Sequence, residues 1–221
     1  MTSETTQTYV HMKQKIDLST WDRADHFRFF KQFEEPFHGI CVDVDVTKTY
    51  EWCKREGISF FLKYLHSSLK AANATEAFRY RIIGEEVYLF ETVHASPTIA
   101  RKEGPFGFSY MDYHPNFTEF EKHAKEVIHE VENSTGLHPA TSGENVIHYS
   151  SLPWLAFTSL SHARSFSFAD SAPKISFGKM EEKEGRLSMP MSVHVHHGLA
   201  FGNDVAHYTE AFQRLLDLEE L

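Results

Sequence analysis

The stretch RLSMPMSVHVHHGLAFGND, residues 186–204, decides how the chain is read. Its first part alternates apolar and polar side chains with a period of two, the pattern of a half-buried β-strand. The alternation stops at two adjacent histidines, His196 and His197, and the run GLAFG follows. Three readings are open at this point. His194 and His196 lie two residues apart, share a strand face and could share an ion, but no HExxH motif or cysteine cluster supplies further ligands. Ordinary hydrogen-bonded rings on a solvated or interface face account for those two better. His197 falls where the strand ends. A ring fixed there can hold a nitrogen in a cleft, and neutral imidazole suits proton removal near neutral pH.

Working outward, KISFGKM and the polar turn EEKEGR lead into this strand. GICVDVDVT, residues 39–47, alternates in the same way and predicts a second strand; FRYRIIGEEVYLFE, residues 78–91, predicts a hairpin turning at Gly84–Glu85. HASPTIARK and FGFSYMDY extend the sheet, and NVIHYSSLPWLAFTSLSH reads as strand, bend at Pro153–Trp154, and strand. Helices are predicted over LSTWDRADHFRFFKQF, capped by Ser19 or Thr20, over SFFLKYLHSSLKAANA, and from Asn116 to Asn133. A last helix, DVAHYTEAFQRLLDLEEL, takes Asn203 as its cap. No repeat or long Gly/Ser linker interrupts this order. The expected architecture is one α+β domain over residues 1–221, a two-layer mixed β-sheet with packed helices, with residues 1–10 loose.

Composition narrows the function. Apolar residues make up 41% of the chain, and 19 Phe with 9 Tyr point to an aromatic-lined pocket or subunit interface. The net charge is −9, and no stretch concentrates Lys and Arg as a nucleic-acid footprint requires. Cys41 and Cys53 form no metal signature. The N-terminus has no secretory apolar run and no segment reaches transmembrane length, so a cytoplasmic protein without nucleic-acid or membrane partners is expected. No glycine run forms a phosphate loop or dinucleotide signature.

Several separated segments, in order, resemble the chloramphenicol acetyltransferase family. STWDRADHFRFF is similar to the family's W-x-R-x-x-H-F opening through Trp21, Arg23, His26 and Phe27. SSLPWLAFTSL resembles its S-x-x-P-W-x-x-F-x-S segment, APKISFGKM and RLSMPMSVHVHH its late strands, and HHGLAFG its HHxxxDG signature. The resemblance implies a CoA-dependent O-acetyltransferase in which His197 is the general base. It implies that Ser150 stabilises the oxyanion and that Ser176 assists through a water. Acetyl-CoA is the implied cosubstrate, no metal is implied, and the acceptor is a small hydroxyl-bearing molecule such as chloramphenicol, an antibiotic-resistance activity. Trp154 and Lys179 fall in segments that border the family's CoA channel. A homotrimer with active sites between subunits is also implied. Phe29, Phe37, Phe106, Phe108 and Phe157 are candidates for the acceptor pocket.

One position departs from the signature. Phe201 stands where the family has the aspartate that pairs with the arginine matching Arg23. Phenylalanine cannot accept a proton or carry charge, so Arg23 either turns to water or finds another acid, Asp204 being one candidate. Two other readings follow: a weakened or inactive small-molecule binding protein on the same scaffold, and the catalytic core of a 2-oxo-acid dehydrogenase acyltransferase. The latter shares the HHxxxDG pattern, but no lipoyl module or linker is present here.

Overall fold

A computed structural model describes residues 12–137, 143–164 and 170–219; the expectation of a loose segment at residues 1–10 lies outside them. The architecture is α+β. Five strands form the path of the main sheet next to a sixth short one: β2 (Phe37–Asp45), β10 (Arg186–His196), β8 (Lys174–Phe177), β7 (Val146–Ser151), β5 (His94–Ile99) and β6 (Gly107–Phe108), in that spatial order. β9 (Glu181–Lys183) pairs with β10 off this path. The sheet is mixed: β5, β7 and β8 run parallel to one another, whereas β10 is antiparallel to both β8 and β2. A smaller sheet orders β1 (Lys13–Lys15), β4 (Glu86–Phe90) and β3 (Tyr80–Ile83), with the β3–β4 hairpin turning at Gly84–Glu85.

Strand β10 sorts the molecule into two sides. Met189, Met191, Val193 and Val195 are all at most 2% exposed and face the helices. Across β2 they sit opposite Val44, Val42, Ile40 and His38. The alternate positions, Pro190, Ser192, His194 and His196, face the other side, opposite Asp43, Cys41, Gly39 and Phe37. The core between sheet and helices is filled from α3 (Phe60–Ala74), α4 (Phe117–Glu132) and α5 (Gly202–Leu216), with Leu65, Leu69, Phe120, Tyr208 and Phe212 fully enclosed. Ser59 caps α3 through the Leu62 amide and Asn116 caps α4 through the Glu119 amide.

The structure corrects several details. The first helix, α1, covers only Ala24–Phe30 and has no side-chain cap; Ser19 instead donates to the Asp17 carboxylate, which folds residues 17–20 into turns. A helix that the apolar pattern did not reveal, α2 (Thr47–Glu56), follows β2 and ends on Gly57 at φ 70°. Residues 155–162 form no strand; they run over the outer face of the sheet, where the Leu155 carbonyl accepts from the Lys179 amide. Asn203 lies inside α5 rather than capping it. The exposed end of α5 is satisfied by Asp204, whose carboxylate accepts from the Phe201 amide at 2.7 Å.

Candidate active site

His197 is the first residue past β10, and its amide donates to the Pro36 carbonyl at 2.8 Å, which fixes the turn against the start of β2. Its ring stacks on Phe30 of α1, with centroids 4.2 Å apart and planes 17° from parallel. His38 of β2 lies on the ring as well, at 4.3 Å, and Phe201 touches its edge at 6.2 Å. The His197 Nδ1 atom is buried and makes no hydrogen bond, while the residue as a whole is partly exposed. The ring therefore sits among aromatic groups where α1, the start of β2 and the 197–201 turn meet.

That turn is held by an ion pair. Arg23 donates to both oxygens of Asp204, at 2.5 Å and 2.9 Å, and to the Leu199 carbonyl at 3.1 Å. Its guanidinium carbon lies 4.8 Å from the centre of the Phe201 ring. Burial opposes ionisation of Asp204. The hydrogen bonds from Arg23 and the Phe201 amide, and the charge of Arg23, outweigh it and hold the carboxyl below its ordinary value. Arg23 is correspondingly raised by its hydrogen bond to Asp204, against burial. The acid that the signature lacks at position 201 is thus supplied from the first turn of α5, and Phe201 packs against His26 and Arg23 instead.

Ser150 and Ser176 lie elsewhere. They are directly opposite each other on β7 and β8, and Ser176 is opposite Ser192 of β10. All three therefore share the outer face, while the His197 ring contacts the helix-side residues Phe30 and His38. His197 is also five residues beyond Ser192, roughly 17 Å along the strand. Within one chain the histidine and the serine pair do not meet. The Ser176 hydroxyl is fully buried without a hydrogen-bond partner, whereas Ser150 is partly exposed.

Lys179 is exposed and 3.7 Å from Glu181. It lines an outer-face pocket of about 390 Å³ together with Cys41, Asp43, Phe157, Lys183 and Pro190. Trp154 stands 73% exposed at the bend after β7 and is not part of that lining. Of the candidate acceptor aromatics, Phe29 and Phe106 are exposed, Phe157 lines the Lys179 pocket, and Phe37 packs against the cations of Arg164 and Lys174 at 3.9 Å and 4.6 Å. Phe30, in the first of the expected helices, is the aromatic stacked on the His197 ring. His38, which the strand alternation left unmarked, is its second neighbour.

His194 and His196 both take part in ordinary hydrogen bonds. His194 is half-buried, donates to or accepts from the Ser192 hydroxyl at 3.0 Å, and lies so close to Gly39 that a Cβ there would be 2.2 Å from its Nε2. His196 is 4% exposed and its Nδ1 accepts from the Gly198 amide at 3.1 Å. Among the described residues, no group of three or more His, Cys, Asp or Glu side chains is placed to hold a metal ion, and no helix is long and apolar enough to cross a membrane.

This sheet-and-helix arrangement, with a histidine at the strand end, has solved counterparts among acetyltransferases. A family model for chloramphenicol acetyltransferase matches residues 12–213. Chloramphenicol acetyltransferases of Bacillus pumilus and Streptomyces acrimycini are 26% and 28% identical, over 93% and 91% of this chain and 94% and 93% of theirs. A solved chloramphenicol acetyltransferase structure superposes with a TM-score of 0.87 at 32% identity, covering 93% of this chain and all of that one. A probable dihydrolipoamide acetyltransferase from Listeria monocytogenes, with a TM-score of 0.65 and 13% identity, shares the fold. The chain belongs to the chloramphenicol acetyltransferase family, and it is an acyltransferase of that type.

Proposed function

We propose that the protein transfers acetyl from acetyl-CoA to a small hydroxyl-bearing acceptor by direct attack in a ternary complex, with His197 as the general base. The observation that carries this reading is the His197 ring itself, fixed at a strand end between Phe30 and His38 and partly open to solvent. With Nδ1 buried, Nε2 is the nitrogen this reading assigns to the acceptor. It takes the hydroxyl proton as the acceptor oxygen bonds to the thioester carbonyl carbon. As the tetrahedral intermediate collapses, the C–S bond breaks and the imidazolium returns the proton to the CoA sulfur. Ser150 donates to the developing oxyanion, where a preplaced hydroxyl helps most in the transition state. Ser176 assists through a water.

Separation of His197 from Ser150 and Ser176 within one chain supports a site shared between copies: the base from one subunit, the serines and much of the acceptor pocket from its neighbour. A homotrimer closes such interfaces symmetrically. In this reading Lys179, in the outer pocket, meets a CoA phosphate, and Trp154 packs against the cofactor. A cytoplasmic setting belongs to the same reading. The alternative of a catalytically weakened or inactive binding protein starts from lost support for Arg23; the pairing of Arg23 with Asp204 favours the active reading.

The test is to incubate the protein with acetyl-CoA and chloramphenicol, then with a panel of aromatic alcohols, and follow release of the CoA thiol. Acceptor-dependent release that disappears in His197→Ala is expected. Transfer unchanged in that variant overturns the base assignment, and CoA binding without turnover on any acceptor returns the binding-protein reading.

A further inference from the structure

The turn that carries His197 is tied at three consecutive points. Arg23 holds the Leu199 carbonyl, Asp204 holds the Phe201 amide, and between them His38 Nε2 lies 3.3 Å from the Ala200 carbonyl oxygen. A carbonyl only accepts, so this contact requires a proton on His38 Nε2; in the neutral ring Nδ1 then carries none. The same imidazole lies on the His197 ring at 4.3 Å. Both contacts follow from register: His38 is opposite Val195 on the helix side of the sheet, two residues before His197.

We propose that His38 is a positioning residue for the base, setting the angle of the His197 ring through a tilted ring-to-ring contact and the height of its turn through the Ala200 carbonyl. The inference rests on His197 serving as that base. Phe30 supplies a second ring surface but no polar anchor, whereas His38 supplies both. Burial lowers the affinity of His38 for a proton; its bond to Ala200 opposes this and nearby His197 adds to it. The anchor is therefore a neutral ring, and His197 becomes imidazolium without a second full charge against it. A misplacement of about 1 Å at a reacting group can cost on the order of 10²-fold in rate.

Three variants separate the two contacts: His38→Phe keeps a ring without the donor, His38→Gln keeps a donor without the ring, and His38→Ala removes both. Each is measured for kcat and KM with acetyl-CoA and the best acceptor from the panel, in the native and the His197→Ala backgrounds. The expected result for His38→Ala is a kcat about 10- to 100-fold lower with both KM values within about threefold. Phe and Gln should each restore part of the loss. In the His197→Ala background, removal of His38 should cost nothing further, because residues acting as a unit are not additive.

Native kcat in both His38→Ala and His38→Phe, alongside an inactive His197→Ala, overturns the proposal and leaves the base assignment standing. An equal loss from His38→Ala in both backgrounds overturns it too. Full activity of His197→Ala defeats the base assignment, and this inference with it. A crystal structure of His38→Phe or His38→Ala gives a readout without turnover: a displaced His197 ring or Ala200 carbonyl is expected, and an unmoved pair overturns the proposal.

Discussion

Arg23 and Asp204 are 181 residues apart and meet in a two-point ion pair with the Asp204 carboxylate also bonded to the Phe201 amide. The geometry is the planar fork of a guanidinium against a carboxylate, and it fastens the start of α1 to the start of α5 across the turn that bears His197. Both side chains are largely enclosed, at 19% and 9% exposure. Removing one partner leaves the other buried and unpaired. Asp204→Asn should therefore lower stability by about 2 kcal/mol, read as a fall in the urea midpoint at constant slope. Phe201→Asp should not raise turnover: the arginine already has its acid, and the substitution removes a ring packed on His26 and Arg23 while adding a second carboxylate. A more active and equally stable Phe201→Asp variant contradicts this account.

The two serines should respond differently. Ser150→Ala is expected to lower kcat by about 10²–10³ with little change in stability, the loss typical of one oxyanion donor. The Ser176 hydroxyl is buried and unpartnered in the single chain, so Ser176→Ala should be neutral or stabilising by up to about 1 kcal/mol and should reduce kcat less than Ser150→Ala. Steady-state rates and thermal melting on the same preparations check both.

Lys179 lines the outer pocket, whereas Trp154 is exposed at the bend after β7 and is not in that lining. Lys179→Ala is expected to raise the KM for acetyl-CoA a few-fold, with kcat unchanged and a weaker dependence of that KM on salt, as a screened surface charge requires. Trp154→Ala should raise the same KM without altering its salt dependence, because packing rather than charge is lost. An effect of Lys179→Ala on the acceptor KM alone argues against a CoA role.

Acid should weaken the fold well above the carboxylate range. Burial pushes His66 and His196 down to about 4, from an ordinary value of 6.5. Between those values the unfolded chain binds protons that the folded chain excludes. Stability is therefore full above about pH 6.5 and falls as the pH drops toward 4, with two or more protons taken up on unfolding. The slope is on the order of 2 kcal/mol per pH unit near pH 5. Below that window the depressed carboxyl of Asp204 adds a further loss as it protonates. Urea melts at pH 7.5, 6.0 and 5.0 and one protein concentration measure this directly; a flat profile across that range contradicts it.

Much of the fold was legible along the chain because its signals are local. The alternation in β2 and β10, the hairpin at Gly84–Glu85 and the stripe of α4 each depend on side chains a few residues apart, and each falls where the pattern places it. Helix α2 was not legible: its buried residues, Thr49, Trp52 and Cys53, form too sparse a stripe, and only Gly57 marks its end. The strand expected over residues 155–162 failed because a segment of suitable composition found its partners over the face of the sheet rather than at an edge.

The sequence by itself determined most of the elements, the family-like order of motifs and the histidine at the end of β10, since period and turn chemistry are properties of neighbouring residues. Only the tertiary structure decided what stands around that histidine. The acid that answers Arg23 is Asp204, the rings against His197 are Phe30 and His38, and Ser150 lies on the far face of the sheet. Those relations depend on strand register and on which side of the sheet each residue emerges. Pairing between strands far apart along the chain sets both.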